Sequence, residues 1–406
     1  MPCVEYGERK SMEMKSKISF LDAVAIENKL WFSNLDYNAL MRMDIQTGET
    51  YIISYFPKNE IYQEELHRKV FLYKKKLYFI PLKSHYIHIW NMEREEWDET
   101  MELPFSESET ICDAYMIDEN IWIFPSSLKN DIIRWNLKSN KILCLIGLTD
   151  EIRKCTDIFS YMLGYSSVCY KDNCFYLSPR NTRDIYIIET RRCILKKKQQ
   201  LPEAILTQGI CPSSERGLWI TELYSGHVHL WEENLGIVNT YYLEVPLSVG
   251  NIPFIKVIDS GTNQIMVLPC HSEDILFLDK SQRLIHKCVY PKSFCRERVY
   301  TLFCGFCSYE QDYVLLFPRS SNQLLKVNIK DMSITGSTIH LKSIDFEREK
   351  EILILQKKKK ISDGSLQESC NDSLLSFFLN EVECMEDVPE TTNMNIGEKI
   401  YNHLIL

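Results

Sequence analysis

Hydrophobic and polar positions along this chain repeat with a regular spacing. Seven times, an apolar or aromatic residue in one hydrophobic run is followed thirteen or fourteen residues later by an Asp, Asn or Glu that ends a second run. The pairs are Trp31 with Asp44, Tyr78 with Asn91, Trp122 with Asn136, Tyr176 with Glu189, Trp219 with Glu232, Met266 with Asp279, and Leu315 with Asn328. Successive pairs are about 47 residues apart. A period of this length is typical of a four-stranded unit that is stacked many times.

Within each unit, short polar turns separate four apolar runs. In the third unit the predicted strands are 114–117, 121–125, 132–135 and 141–146, and Asn136 ends the third of them, where its side chain can bind its own turn. The third run of each unit is apolar at adjacent positions, which indicates a strand covered on both faces. The pattern predicts an all-β, seven-bladed β-propeller with four-stranded blades over residues 18–355.

Two details of this ring stay open at the sequence level. The first strand of the fifth unit, 209–211, is weak and the fourth unit carries an insertion, so a six-bladed ring with one degenerate unit is the alternative. Residues 352–355 form the last apolar run and are expected to close the ring together with 18–21.

The flanking segments differ from the repeats. Residues 1–17 form an N-terminal extension without the apolar segment of a secretory signal. Residues 356–406 form an acidic tail, and positions 361–406 hold nine acidic residues against a single lysine. Apolar stripes near 374–382 and 396–404 predict two short amphipathic helices there, docked on the propeller or on a partner. We therefore expect a short α-helical C-terminal tail.

Charge and cysteine content exclude several classes of function. The chain carries a net charge of −9, of which −8 lies in 361–406, so the propeller is nearly neutral and should not attract nucleic acid. No apolar stretch is long enough to span a bilayer, and we expect no membrane partner. Fifteen cysteines, an odd number without a repeated spacing, indicate reduced thiols and a cytoplasmic protein. The basic runs 196–198 and 357–360 are interpreted as solvated turns beside strands.

Two short motifs could hold a metal. Cys304 and Cys307 form a single C-x-x-C, whereas a structural zinc site needs a second pair, so packing is the preferred interpretation. His227 and His229 form an H-x-H at strand spacing, which directs both rings to one side, although His229 aligns with packing positions of other units. We predict no cofactor and no established metal site, with the two histidines as weak candidates.

The loops between second and third strands, and those between blades, should emerge on one face, where long loops on a rigid frame usually carry binding residues. Basic residues outnumber acidic ones in the loops between second and third strands. They are Lys83, His85, Lys129, Arg180, Arg183, His271 and Arg319. One interpretation is a site for an anionic or carbohydrate-type ligand, and the other is a set of ordinary solvated loop ends.

The run 76–81, Lys-Leu-Tyr-Phe-Ile-Pro, resembles a strand of kelch and galactose-oxidase-like β-propellers, and in particular of uncharacterised bacterial seven-repeat propellers. The resemblance covers 18–355 and implies a fold, not an activity, because the paired glycines of kelch repeats and the copper ligands of galactose oxidase are absent.

Catalytic residues are unknown from sequence. We predict a non-catalytic module that binds a protein partner or an anionic or carbohydrate-type small molecule. The alternative is a propeller enzyme, a lyase, hydrolase or epimerase acting on sugars, with its site at the axis. A third interpretation is a scaffold in which the acidic tail recruits a partner.

Overall fold

A computed structural model describes residues 18–342, apart from 36–37, 58–64, 106–109, 157–164, 180–181, 203–204, 246, 248–251, 273, 282–284, 292–293, 295–302, 311, 320 and 322. In this part the chain forms seven sheets, each built on four sequential antiparallel strands and arranged in a ring. The first strand of the first blade contacts the first strands of both the second and the seventh blade, so the ring is closed at its centre. The predicted all-β, seven-bladed propeller is confirmed.

Each blade runs from the central axis outward in chain order. Blade 1 contains β1 Ala23–Ile26, β2 Lys29–Ser33, β3 Ala39–Asp44 and β4 Glu49–Tyr55; blade 2 contains β5 His67–Tyr73, β6 Lys76–Pro81, β7 Tyr86–Asn91, β8 Glu96–Trp97 and β9 Met101–Glu102; blade 3 contains β10 Ile111–Ile117, β11 Asn120–Pro125, β12 Ile133–Asn136 and β13 Lys141–Cys144. The helix α1 Ile146–Cys155 follows blade 3.

The remaining blades follow the same order. Blade 4 contains β14 Tyr165–Lys171, β15 Cys174–Pro179, β16 Asp184–Glu189 and β17 Ile194–Gln200; blade 5 contains β18 Thr207–Pro212, β19 Leu218–Glu222, β20 His227–Glu232 and β21 Gly236–Tyr242; blade 6 contains β22 Phe254–Asp259, β23 Gln264–Pro269, β24 Leu276–Asp279 and β25 Ile285–Lys287; blade 7 contains β26 Phe303–Tyr309, β27 Tyr313–Pro318, β28 Gln323–Asn328 and β29 Ile334–Thr338, before the last described strand, β30 His340–Leu341.

The fifth blade settles the number of blades. Its inner strand β18 pairs with β19 through five residue pairs, from Thr207 opposite Glu222 to Pro212 opposite Leu218. Gly209 is needed in this strand, because a Cβ there would stand 2.4 Å from the Ile255 carbonyl oxygen of the next blade. The glycine is a close-packing requirement between blades, and the six-bladed alternative is wrong.

The acidic or amide residue that ends the third strand closes the next turn, as predicted for Asn136. Asn136 Oδ1 accepts the Ser139 amide hydrogen at 2.9 Å. Asp44 and Asn91 do the same in blades 1 and 2, where each accepts two backbone amides. A short side chain that binds the backbone two or three residues later stabilises a tight turn, so the repeated polar position is structural.

Blades 7 and 1 meet through side chains and through a returning strand. Phe20 stacks on Phe32 of blade 1 at 4.0 Å between ring centroids and lies 4.5 Å from Phe317 of blade 7. The strand β30 then pairs in parallel with the outer strand β4. The predicted closing run 352–355 and the tail 356–406 lie outside the described residues, and the contribution of 18–21 to closure agrees with the packing of Phe20.

The helix α1 was not predicted. Sequence analysis assigned 141–146 to a strand, whereas β13 ends at Cys144 and the helix begins at Ile146. Leu148 and Ile152 anchor it in the apolar layer between blades 3 and 4. Among the described residues, no helix has the length and hydropathy of a membrane span.

The lysine run 196–198 lies in the outer strand β17 and not in a turn, which corrects the sequence interpretation. Lys198 Nζ is 2.9 Å from Asp184 Oδ2, and Lys196 Nζ is 3.6 Å from Glu233 Oε1. Lysines on an outer strand discourage pairing with other chains, which gives the run a structural role. The run 357–360 lies outside the described residues.

Candidate functional site

The loops between second and third strands, together with the connections between blades, lie on one face of the ring, which we call the upper face. The predicted basic residues occupy loops of this kind in five of the blades. Lys83 and His85 lie on blade 2, Lys129 on blade 3, Arg183 on blade 4, His271 on blade 6 and Arg319 on blade 7, while Arg180 lies outside the described residues. The set therefore shares a face but is spread around the ring.

Several of these basic side chains already have partners. Lys83 Nζ is 2.6 Å from Glu65 Oε2. His271 is half-buried and its Nδ1 accepts the Ile252 amide hydrogen at 2.9 Å, while burial lowers its pKa. Lys129 and Arg319 are exposed. Arg319 lies near the Cys270 thiol, whose pKa burial raises to about 11 against the opposing effect of this charge.

An open depression of about 460 Å³ lies on the upper face between blades 5 and 6. Its wall is formed by Tyr224 and Gly226 of the loop after β19, by Leu243–Val245 and Leu247 after β21, and by Pro253 before β22. Tyr224 is 57% exposed and Leu247 is 42% exposed, so an aromatic and an aliphatic surface are open to solvent.

One residue of the predicted set, His271, borders the wall of this depression. The segment Ile252–Pro253 pairs with the loop of blade 6, because the His271 amide donates to the Ile252 carbonyl at 2.9 Å and the Cys270 amide donates to the Pro253 carbonyl at 2.8 Å. Leu247 also forms a bridge with Ser272. These bonds hold Leu247 and Ile252–Pro253 beside the loop that carries His271.

A cluster of Glu222, His227 and His229 lies beside the depression. Glu222 is the last residue of β19, and His227 and His229 lie at the start of β20. Ile220 of β19 is paired with His229, so the two histidines lie on the same face of the sheet as Ile220. Glu222 Oε2 is 3.0 Å from His227 Nδ1 and 3.6 Å from His229 Nε2. Among the described residues, this is the one group of three or more His, Cys, Asp or Glu side chains with ligand atoms close enough together to hold a metal ion.

A second charged cluster surrounds the axis. Lys69 Nζ of β5 lies 3.7 Å from Asp22 Oδ1 and 3.7 Å from Asp113 Oδ1 of β10. Asp22 also accepts the Val70 amide hydrogen at 3.0 Å, and the Tyr115 hydroxyl donates to Asp113 at 3.1 Å. The first strands of blades 2 and 3 and Asp22, the residue before β1, are thereby joined around one ammonium group.

The two carboxyls of the axis cluster have opposite pKa shifts. Burial raises the pKa of Asp22, although Lys69 opposes this. Burial also acts to raise the pKa of Asp113, but the charges of Lys69, Lys256 and Arg68 together hold it below its usual value. Opposite shifts in a pair of acids are an arrangement that enzymes use to separate an acid from a base.

The C-x-x-C motif lies on β26. Cys307 is partly buried, and burial raises the pKa of its thiol to about 12. A thiol with this pKa is protonated at neutral pH and is a poor nucleophile and metal ligand. The side chain of Cys304 lies outside the described residues.

Sequence analysis identified the two histidines as weak metal candidates but assigned no role to Glu222, Tyr224 or Glu244. The useful signal was an acid five positions before the H-x-H, separated from it by a short loop that contains Gly226. In a hairpin, this spacing brings the acid opposite the first histidine.

Comparisons with known proteins support the fold alone. No protein-family model matches the chain, and no curated protein matches its sequence significantly. The extracellular domain of the putative hybrid two-component system BT4673 from B. thetaiotaomicron is similar over 80% of this chain, with 11% identity and a TM-score of 0.54, and the match spans 39% of that structure.

Two further solved structures have the same architecture. The WD40 repeats of RRP9 match 74% of this chain and 87% of their own, with 11% identity and a TM-score of 0.50. A chain of the Mitotic Checkpoint Complex matches over 80% of this chain and 90% of its own, with 10% identity and a TM-score of 0.50. The resemblance to kelch-type propellers stays a prediction, whereas a seven-bladed β-propeller is established.

Proposed function

We propose that this protein is a non-catalytic binding module that recognises a carbohydrate-type ligand in the depression between blades 5 and 6. The observation that carries the proposal is the exposed ring of Tyr224 in an open depression that also contains the exposed carboxylate of Glu244. An aromatic face has partial negative charge and packs against the C–H groups of a sugar ring. A carboxylate accepts hydrogen bonds from sugar hydroxyls.

The charge of this sector favours a neutral ligand over an anionic one. Glu222 and Glu244 are acidic, and His271 beside the wall has a pKa lowered by burial and is neutral at pH 7. The exposed bases Lys129 and Arg319 belong to blades 3 and 7, not to the blades that form the depression. An anion would therefore meet unfavourable charge in this sector.

A panel of neutral oligosaccharides, anionic sugars and acidic peptides tests this function. We expect a neutral oligosaccharide to raise the melting temperature of the full chain, since a ligand that binds only the folded state stabilises it. Tyr224→Ala and Glu244→Gln should abolish the increase. Tyr242→Ala, which removes another exposed tyrosine of blade 5 outside the wall, should preserve it.

Two results would contradict the carbohydrate proposal. One is a response to anionic sugars or acidic peptides that is lost in Lys129→Ala combined with Arg319→Ala and kept in Tyr224→Ala. The other is the absence of any response to neutral oligosaccharides, in which case a protein partner should be sought by pull-down with the full chain.

A propeller enzyme is the second candidate, and the axis cluster favours it. Asp22 and Asp113 have opposite pKa shifts, and each keeps 14% side-chain exposure, so neither carboxyl is fully closed off from a small molecule. Sugar hydrolysis by Asp22→Asn and Asp113→Asn, compared with the natural chain, tests this candidate. Activity that neither variant reduces would exclude the axis as its site.

A further inference from the structure

We infer that Glu222, His227 and His229 form a binding site for a single Zn²⁺ ion. The inference does not rest on the proposed carbohydrate site. The three side chains come from two adjacent strands of one blade and offer one carboxylate oxygen and two imidazole nitrogens, which is a donor set that Zn²⁺ commonly takes.

The distances are close to those that a tetrahedral ion requires. Two ligand atoms on the same Zn²⁺ are about 3.3–3.6 Å apart, given bonds of about 2.0–2.2 Å. Glu222 Oε2 is 3.0 Å from His227 Nδ1 and 3.6 Å from His229 Nε2, and the candidate ligand atoms all lie within 4.8 Å of one another. The separation of Glu222 from His227 is shorter than this spacing, so binding of the ion requires a small rotation of the half-exposed His227 side chain.

His229 is already oriented as a ligand. It is 4% exposed, and its Nδ1 is 2.9 Å from Thr240 Oγ1 on the neighbouring strand β21. With Nδ1–H donated to this hydroxyl, the lone pair on Nε2 is directed toward Glu222. Nε2 is buried and has no hydrogen-bond partner among the described residues. Histidines that bind metals usually have this kind of second contact.

Glu222 and its loop are also held in place. The Ser225 hydroxyl donates a short hydrogen bond to Glu222 Oε2, and the His227 amide donates to Ser225 Oγ at 3.1 Å. Gly226 allows the loop to approach β21, because a Cβ there would be 1.9 Å from the Leu243 carbonyl oxygen. The side chain of His227 is 36% exposed, so an ion can enter from solvent.

An ordinary hydrogen bond between Glu222 and His227 is the competing explanation, and direct binding of Zn²⁺ alone to chelator-treated, full-length protein distinguishes the two. We expect one equivalent to bind by isothermal titration calorimetry and to raise the melting temperature. Glu222→Gln, His227→Asn and His229→Gln should each weaken this affinity by more than about 100-fold, and Thr240→Val by about tenfold. His286→Asn, a histidine change on blade 6, should leave it unchanged.

Two features keep the test decisive. His227 is partly exposed, so His227→Asn should fold even if His229→Gln does not, and melting curves without metal confirm this for each variant. Co²⁺ provides an optical probe, because a thiolate charge-transfer band would place the ion on cysteines and overturn the inference. The inference is also overturned if stoichiometric Zn²⁺ binding persists in His227→Asn, or if the natural chain binds no Zn²⁺.

Discussion

Two buried histidines of blade 2 are joined to blade 1 by a chain of hydrogen bonds. His67 Nδ1 is 2.8 Å from Ser33 Oγ, and His67 Nε2 is 2.9 Å from His88 Nδ1. Phe56 packs against both rings, with centroid distances of 4.4 and 5.1 Å. Burial lowers the pKa of His88 to about 3 and holds that of His67 well below its usual value. Both rings are therefore neutral in the folded protein over the physiological range.

This burial makes stability depend on pH. Histidines in the unfolded chain bind protons below about pH 6.5, whereas folded His88 stays neutral down to about pH 3, so the free energy of unfolding falls as the pH drops through this window. His88→Asn removes one such group. Between pH 7.5 and 5.0 we expect the free energy of unfolding of the variant to fall by about 2 kcal/mol less than that of the natural chain, as measured by urea denaturation.

The matched control is His85→Asn, which changes a half-buried loop histidine of the same blade. It should keep the pH dependence of the natural chain. Identical pH dependence in His88→Asn and the natural chain would show that His88 is not the group that resists protonation.

At the level of elements, strands were predictable and the helix was not. The predicted third strands agree with β3, β7, β12, β16, β20, β24 and β28 because the apolar run and the polar residue that ends it occur seven times. Helix α1 occurs once. Leu145 precedes it without a side-chain cap, and its first turn has no acidic residue. Its stability comes from burial of Leu148 and Ile152 between blades, which no local pattern reveals.

The functional elements show the same limit. The H-x-H spacing predicted that both histidines share one side of a strand, and the register of β20 agrees with this. The contacts of the two histidines with Glu222 depend on the pairing of β19 with β20 and on the short loop that joins these strands. The depression depends on two blades at once, so a reading of one repeat at a time could not locate it.

The turn between β5 and β6 contains two lysines in a disfavoured backbone conformation. Lys74 and Lys75 have φ angles of 47° and 59°, a left-handed conformation in which lysine is disfavoured. Replacing them with Asn-Gly should raise the free energy of unfolding by about 0.5–1 kcal/mol, because these residues tolerate both angles. The exposed ion pair of Lys75 with Glu93, at 2.6 Å, contributes little and its loss should not mask the gain.

The equivalent turn of blade 4 provides the reciprocal control. Asp172 and Asn173 have φ angles of 49° and 59°. Changing this pair to Lys-Lys should lower stability by a similar amount in the same chemical denaturation experiment. A decrease in stability for the Asn-Gly variant of blade 2 would contradict the assignment of strain to Lys74 and Lys75.

At the level of the whole molecule, the ring is completed where the chain returns to blade 1. The His340 amide donates to the Gly48 carbonyl at 2.9 Å, and the Lys342 amide donates to the Thr50 carbonyl at 2.9 Å. Sequence analysis did not identify β30, because 340–341 is too short and too polar to be recognised as a strand, and the closing run that it predicted, 352–355, lies outside the described residues. The repeat in the sequence predicts the seven blades, whereas the contact between β30 and β4 depends on how the folded ring brings these two segments together.

Gly48 tests the importance of this contact. It has a φ of +74°, and a Cβ would stand 1.9 Å from the Thr338 carbonyl oxygen. Gly236 has a φ of +75° with open space around it, so Gly236→Ala measures the backbone strain alone. We expect Gly48→Ala to lower the free energy of unfolding by about 1–3 kcal/mol more than Gly236→Ala. Equal losses in the free energy of unfolding, measured by chemical denaturation, would show that β30 can move away from the added Cβ without a loss of stability.

The pairing of β30 with β4 also has a consequence for synthesis of the protein on the ribosome. The edge of β4 is complete by Tyr55, but its partner begins at His340. At about 5–20 residues per second, roughly 15 to 60 s pass between the emergence of the two. Throughout that interval the nascent chain presents an uncovered strand edge, so the first of the seven blades to be made is the last to be finished.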